Sequence, residues 1–211
     1  MEFVKFSQVV IGLLVVGSFA FANEQLVFSQ EQIDVFERSC EGGEVFYCGA
    51  LGDMYNSGLA GVNKDIKKAI KFYKKACDAN MYEPCSNLGS IYAKGDDVKK
   101  DNKKAIELYN KACDGKYALG CANLGYMYYE GRGVKINRTK GATYFRKACN
   151  AGNWLGCGNF GIYNYNDTRN IKKAKEYFKK ACDLGADAQD VRDILRNKEV
   201  WQKYCDIYEA L

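Results

Sequence analysis

The sequence predicts an all-α fold in which paired helices stack into a superhelical solenoid, and three observations carry that prediction. The first is a period. Cys40, Cys77, Cys113, Cys149 and Cys182 follow one another at intervals of 37, 36, 36 and 33 residues, a spacing that marks helical repeat arrays. The second is that each unit holds two segments with apolar residues three and four apart, the helical period. The third is a further cysteine eight residues after each of the first four: Cys48, Cys85, Cys121 and Cys157.

The elements follow in order. Residues 1–22 are expected to be a cleaved signal peptide. Lys5 is its one basic residue, an apolar run extends from Val9 to Phe21, and Ala20-Phe21-Ala22 supplies the small-x-small site. That run is shorter than the roughly 20 residues that span a bilayer, and no later segment is apolar enough to cross one. The expectation is therefore a secreted or periplasmic chain, soluble once the signal is removed. Residues 23–41 hold a capping helix, SQEQIDVFERSC, opened by a Ser29…Gln32 capping box. Four units follow, at 42–77, 78–113, 114–149 and 150–182.

In each unit the first helix contains GALGDMYNSG, SNLGSIYAKG, ANLGYMYYEG or GNFGIYNYND. The second contains DIKKAIKFYKKAC, DNKKAIELYNKAC, NRTKGATYFRKAC or NIKKAKEYFKKAC, opening on the N-cap residues Asp65, Asp101, Asn137 and Asn170. Gly58, Gly61, Gly95, Gly131 and Gly133 suit the turn between the two. The fourth unit is about three residues shorter there, a change that loops tolerate. Residues 183–211 complete a C-terminal cap, with a helix from Lys198 to Glu209.

Ten cysteines and no histidine restrict the chemistry. In an exported chain an even cysteine count points to disulfides. Without histidine or C-x-x-C spacing a zinc site is not expected, nor is any other metal or cofactor. The usual general base and the Ser-His-Asp triad are excluded as well. The net charge of +5 is modest, and lysines alternate with acids along every unit. A solvated face follows rather than a nucleic-acid interface.

In one continuous helix, residues eight apart lie about 12 Å apart along the axis, whereas a disulfide needs Cα atoms within about 7 Å. Bridges Cys40–Cys48, Cys77–Cys85, Cys113–Cys121 and Cys149–Cys157 therefore require a chain reversal between the partners. Each would staple the second helix of one unit to the first helix of the next. Eight residues after Cys182 stands Asp190, so Cys182 is assigned to Cys205, closing the cap; an unpaired Cys205 used for dimerisation is the alternative.

The run ANLGYMYYEGRGVKINRTKGATYFRKAC resembles a Sel1-like repeat, a relative of the tetratricopeptide repeat. The matching features are Leu124-Gly125, Tyr128, the Gly131–Val134 turn and Lys147-Ala148. The resemblance implies a right-handed α/α superhelix with the first helices on its concave face. With a cysteine pair in every unit, the chain further resembles the Helicobacter cysteine-rich protein family, whose members are described as penicillin-binding with slow β-lactamase activity. The serine β-lactamase motifs S-x-x-K, S-D-N and K-T-G are absent. Ser90 to Lys94 is one residue too long, and Thr139-Lys140-Gly141 scrambles the third motif. No catalytic residue can be nominated.

Two positions after the second cysteine stand Ala50, Asn87, Asn123 and Asn159. Asparagine is a poor helix-interior residue and calls for a reason. Asp53, Ser90, Tyr126 and Ile162 share that face three positions on, and Ser57, Lys94, Glu130 and Asn166 seven on. Asn87, Asn123, Asn159, Asp53, Lys94, Tyr126 and Glu130 are the candidate ligand-binding residues. Two readings stand side by side. An amide ladder could grip an extended peptide through donor and acceptor together, or each amide could bond the backbone of the neighbouring unit and fix the stacking. Leu88, Gly89, Tyr92 and their equivalents belong to the core, and Trp154 and Trp201 are read as packing residues. The functional expectation is a groove for a peptide, a peptidoglycan fragment or a host protein. A β-lactam hydrolase is the alternative implied by the resemblance.

Overall fold

The computed structural model describes residues 27–186 and 191–211. The expected signal segment lies outside them, as do the side chains of residues 191–198 and 201, and with them the packing expected of Trp201. The described residues form helices α1 (Gln30–Glu41), α2 (Val45–Ser57), α3 (Ile66–Asp78), α4 (Tyr82–Lys94), α5 (Asn102–Asp114), α6 (Ala118–Glu130), α7 (Arg138–Asn150), α8 (Trp154–Asn166), α9 (Ile171–Ala186) and α10 (Val191–Ala210), with no strand among them.

The capping helix and the second helix of each unit are started by side-chain caps. Ser29 and Gln32 form a reciprocal capping box on α1. Asp65, Asp101, Asn137 and Asn170 each accept the backbone N–H three residues on, at 2.9–3.0 Å, and so open α3, α5, α7 and α9. Gly58, Gly95 and Gly131 end α2, α4 and α6 in the left-handed conformation, with φ of 69°, 75° and 72°. The shortened fourth unit has Asp167 at this place in right-handed geometry, with the left-handed step moved to Arg169.

The junctions between units are built alike. Between Cys113 and Cys121 the Lys116 N–H donates to the Cys113 carbonyl and the Tyr117 N–H to the Ala112 carbonyl, both at 3.0 Å. The same two bonds recur at Gly43/Glu44, Asn80/Met81 and Gly152/Asn153. The first residue of each pair has positive φ. The chain thus reverses within a few residues, and the four bridges span Cα separations of 4.5–4.9 Å. A fifth bridge, Cys182–Cys205, joins α9 to α10 at 5.1 Å. The last helix spans Val191–Ala210 among the described residues and so extends upstream of Lys198, because nothing in VRDILRNK breaks the helical pattern.

Packing repeats with the period. Ala76, Ala112, Ala148 and Ala181 are fully buried where the second helices meet their neighbours. Gly89 and Gly125 lie directly under the rings of Tyr109 and Phe145, and a methyl group at either would sit 2.8 Å or less from a ring carbon. The glycine of each Leu-Gly or Phe-Gly pair is therefore a shelf for an aromatic ring, which a larger residue would displace. First helices of adjacent units touch directly, α4 with α6 and α6 with α8, in addition to the contacts between consecutive helices. The array accordingly curves with its first helices on the inside.

Candidate functional site

The inner helices do not carry one continuous asparagine ladder. Asn87 donates to Asp53 Oδ1 at 3.2 Å, and the same oxygen accepts the Tyr73 hydroxyl at 2.6 Å. Asn123 reaches Ser86 Oγ at 3.4 Å, and Asn159 Oδ1 accepts from the Tyr204 hydroxyl at 3.1 Å. Each amide thus spans to a neighbouring unit, Asn87 and Asn123 to the preceding one and Asn159 to the cap, but through side chains and not through the backbone. These bonds match the stacking role, with side-chain partners in place of the backbone partners expected. The half-buried amides remain at the groove surface.

The candidate residues fall into separate groups. Asp53 and Asn87 belong to a polar knot around Tyr73, between the first and second units. Burial, followed by the Asp53 charge and hydrogen bond, pushes the Tyr73 phenol far above its ordinary range. Asn159 sits where the fourth unit meets the cap. Glu130 is exposed at the end of α6 and lines no cleft described here. Lys94, Asn123 and Tyr126 do come together, in a cleft of about 280 Å³ between the second and third units.

That cleft has further walls, of which the repeat pattern had indicated only Ser90 as a member of the same face. Ser90, Ala93, Lys100, Tyr109, Met127 and Arg132 also line it. Ser90 Oγ and the Tyr109 hydroxyl lie 3.1 Å apart and share a hydrogen bond. Arg132 lies over the Tyr126 ring, 4.7 Å from its centroid, and donates to the Tyr126 hydroxyl at 3.1 Å. Lys100 packs against Gly95, whose positive φ folds the loop back on itself. Burial pushes the Tyr109 phenol up, against the opposing pull of the Ser90 bond and the Arg132 charge. Tyr109 is thus held protonated at neutral pH and is a poor base for activating Ser90.

Lys100 and Arg132 come from loops, and loops carry no strict register. Arg132 follows Gly131, where Asp96 follows Gly95 one unit earlier. A signal was nonetheless present at Tyr109. The buried aromatic of the second helix is Tyr73, Tyr109, Phe145 and Phe178 in turn, and the residues opposite are Asp53, Ser90, Tyr126 and Ile162. A small polar partner accompanies each of the two rings that carry a hydroxyl. Among the described residues, no three His, Cys, Asp or Glu side chains converge as a metal site would require, and no helix is long and apolar enough to cross a membrane.

Helix pairs repeated at a fixed period and clamped at each junction define a helical-repeat solenoid. The chain belongs to the Sel1 repeat family, which it matches over residues 47–81, 85–117, 118–153 and 157–185. It is 34% identical over 65 residues to cytochrome c oxidase assembly factor 7A of Xenopus laevis, a match covering 31% of this chain and 28% of that protein. Among solved structures it is similar to a protective antigen of uropathogenic Escherichia coli displaying an SLR fold, with 26% identity, a TM-score of 0.66, and 74% of this chain and 34% of the other covered. The chain therefore spans about a third or less of the length of these two proteins. It is also similar to Helicobacter pylori cysteine rich protein B, with 36% identity, 61% of this chain and 92% of that chain covered, and a TM-score of 0.49.

Proposed function

We propose that this protein is an exported repeat protein that binds a peptide or a peptidoglycan-derived fragment along its inner helices, in contact with the cell wall or with a host protein. The single observation that carries the reading is the cleft between the second and third units. It combines an amide, a partly exposed aromatic ring and three cations, with no carboxylate in its lining, on the concave side of a scaffold stiffened by a bridge at every junction. A rigid groove loses little conformational freedom when a ligand enters it. Five disulfides fit an oxidising compartment, which supports export to the periplasm or beyond.

The β-lactam hydrolase reading has the Ser90–Tyr109 hydrogen bond and the nearby Lys94 in its favour. The raised Tyr109 phenol works against it. A peptide array and a muropeptide pull-down with the purified protein test the binding reading, and Asn123→Ala with Tyr126→Ala is expected to abolish capture. Nitrocefin turnover above about 1 per second, lost in Ser90→Ala and unaffected by Asn123→Ala, would replace binding with hydrolysis. An empty array and an empty pull-down would remove the groove reading.

A further inference from the structure

We propose that the edge formed by the loops between paired helices docks the protein on an anionic lipid surface, an inference that goes beyond the groove reading and does not depend on it. Paired helices run in opposite directions, so the four loops lie at one edge of the array and the disulfide junctions at the other. Direct contacts join the loops into one surface. Lys64 bridges to Asp97 at 2.7 Å, Gly133 lies against Asn102, and Arg138 bridges to Asp167 at 3.1 Å.

The net charge of +5 is unevenly placed on this frame. From Gly131 to Asn166 the chain carries no acid, while Arg132, Lys135, Arg138 and Lys140 crowd the loop of the third unit. Arg169, Lys172 and Lys173 follow in the fourth. Of the acids at this edge, Asp97 is engaged by Lys64, and Asp167 by Arg138 and the Tyr129 hydroxyl. Asp65 and Asp101 are taken up by the helix N–H groups that they cap. The junction edge differs in sign: Glu41, Glu44, Asp78 and Asp114 are exposed there, with Lys116 as the cation of its turns.

The loop edge also raises apolar side chains into water. Leu59, Ile136 and Ile171 are 52%, 60% and 43% exposed, and Tyr165 at the end of α8 is 38% exposed. Ile136 stands just before the Asn137 cap, where an apolar residue often packs against the fourth residue of the helix. That residue is Gly141, which offers it no side chain, and Ile136 leans on Gly131 instead. Lys64 and Lys100 hold the same position in the first two units. The exposed aliphatic group is therefore not a requirement of the turn.

Cations interleaved with exposed aliphatic side chains fit a surface that offers phosphates, with hydrocarbon just beneath them. Each cation held near such a surface adds attraction, and each aliphatic group that enters it is removed from water. A nucleic acid or a free phosphate would meet the cations and leave Ile136 and Ile171 in water. Resting on this edge, the helix pairs stand upright and the inner face stays open to the side.

The test is flotation of the purified protein with large unilamellar vesicles, one set of phosphatidylcholine alone and one of phosphatidylcholine and phosphatidylglycerol in equal parts. All variants keep the same N-terminus, so any contribution of residues 1–22 is common to them. The expected result is binding to the mixed vesicles, much weaker binding to the neutral ones, and loss of binding as salt is raised. Lys135→Gln and Lys172→Gln should each weaken binding about fivefold, the loss of one cation at such a surface. Ile136→Ser should weaken it about tenfold through the lost apolar contact. Lys116→Gln removes the same charge from the opposite edge and should leave binding unchanged. All four positions are exposed, and matching urea midpoints would show that the variants are folded. Mixed vesicles bound no better than neutral ones, no binding to either, or equal losses from Lys116→Gln and Lys135→Gln overturns the docking edge. Wild-type flotation of Ile136→Ser, with duplex DNA bound as tightly as the mixed vesicles, would assign the edge to a soluble polyanion and overturn the lipid surface.

Discussion

Tyr204 shows how one side chain couples the last repeat to its cap. Its ring stacks near Phe178 and meets Trp154 edge-on, while its hydroxyl donates to Asn159. Burial pushes its phenol up to about 12, and burial followed by the Asp167 bond does the same to Tyr129. Below the ordinary value of 10.0 both rings are neutral whether the chain is folded or not. Above it the unfolded chain ionises first, so stability is lost as the pH rises from about 10 toward 12. Tyr204→Phe should flatten part of that fall and cost about 1 kcal/mol at neutral pH through the missing bond to Asn159. Urea midpoints at neutral and at alkaline pH check both effects. At this scale the sequence was informative wherever residues recur with the period. It placed Lys94, Asn123 and Tyr126 on one helical face, and the structure brings these three together. It also placed Asp53, Asn87 and Asn159 on that face, yet they sit at other junctions, because one stripe on a curved array is interrupted at every unit boundary. Lys100 and Arg132 escaped notice because a loop's path depends on the glycine φ angles beneath it, and no apolar period records those.

The helix pair and its turns were the most legible level. N-caps, glycine stops and the tight reversal between paired cysteines each leave a local mark in the chain, and each mark has a counterpart in a hydrogen bond or a φ angle. The start of α10 was less legible, since a helix that meets no breaker extends until its packing surface ends. The junction turns also make a prediction. The position that must adopt positive φ is Gly43, Asn80, Lys116 or Gly152, and lysine is the least suited of these. Lys116→Gly should raise stability by about 0.5–1 kcal/mol, read as a higher urea midpoint with an unchanged slope. A lower midpoint would mean that the Lys116 side chain contributes more than its backbone costs.

For the whole molecule, five bridges divide the chain into short closed loops. By loop-entropy arguments a junction bridge closing eight residues contributes about 2–3 kcal/mol, and the cap bridge closing 23 contributes about 3.5 kcal/mol. Replacing Cys182 and Cys205 together by serine should therefore lower the denaturation midpoint more than replacing Cys113 and Cys121, although the second pair sits in the middle of the array. Denaturant titrations of the two double variants settle the order. Because each unit rests only on its neighbours, a lost central bridge should loosen the cleft between the second and third units before the molecule as a whole unfolds. The connectivity has one more consequence. Every bridge joins a cysteine to the very next one in the chain, so thiols exposed to an oxidant in chain order, as the export proposed above would expose them, meet their correct mates first. An oxidant acting on them in order of appearance makes the native set directly, and an isomerase finds nothing to reshuffle.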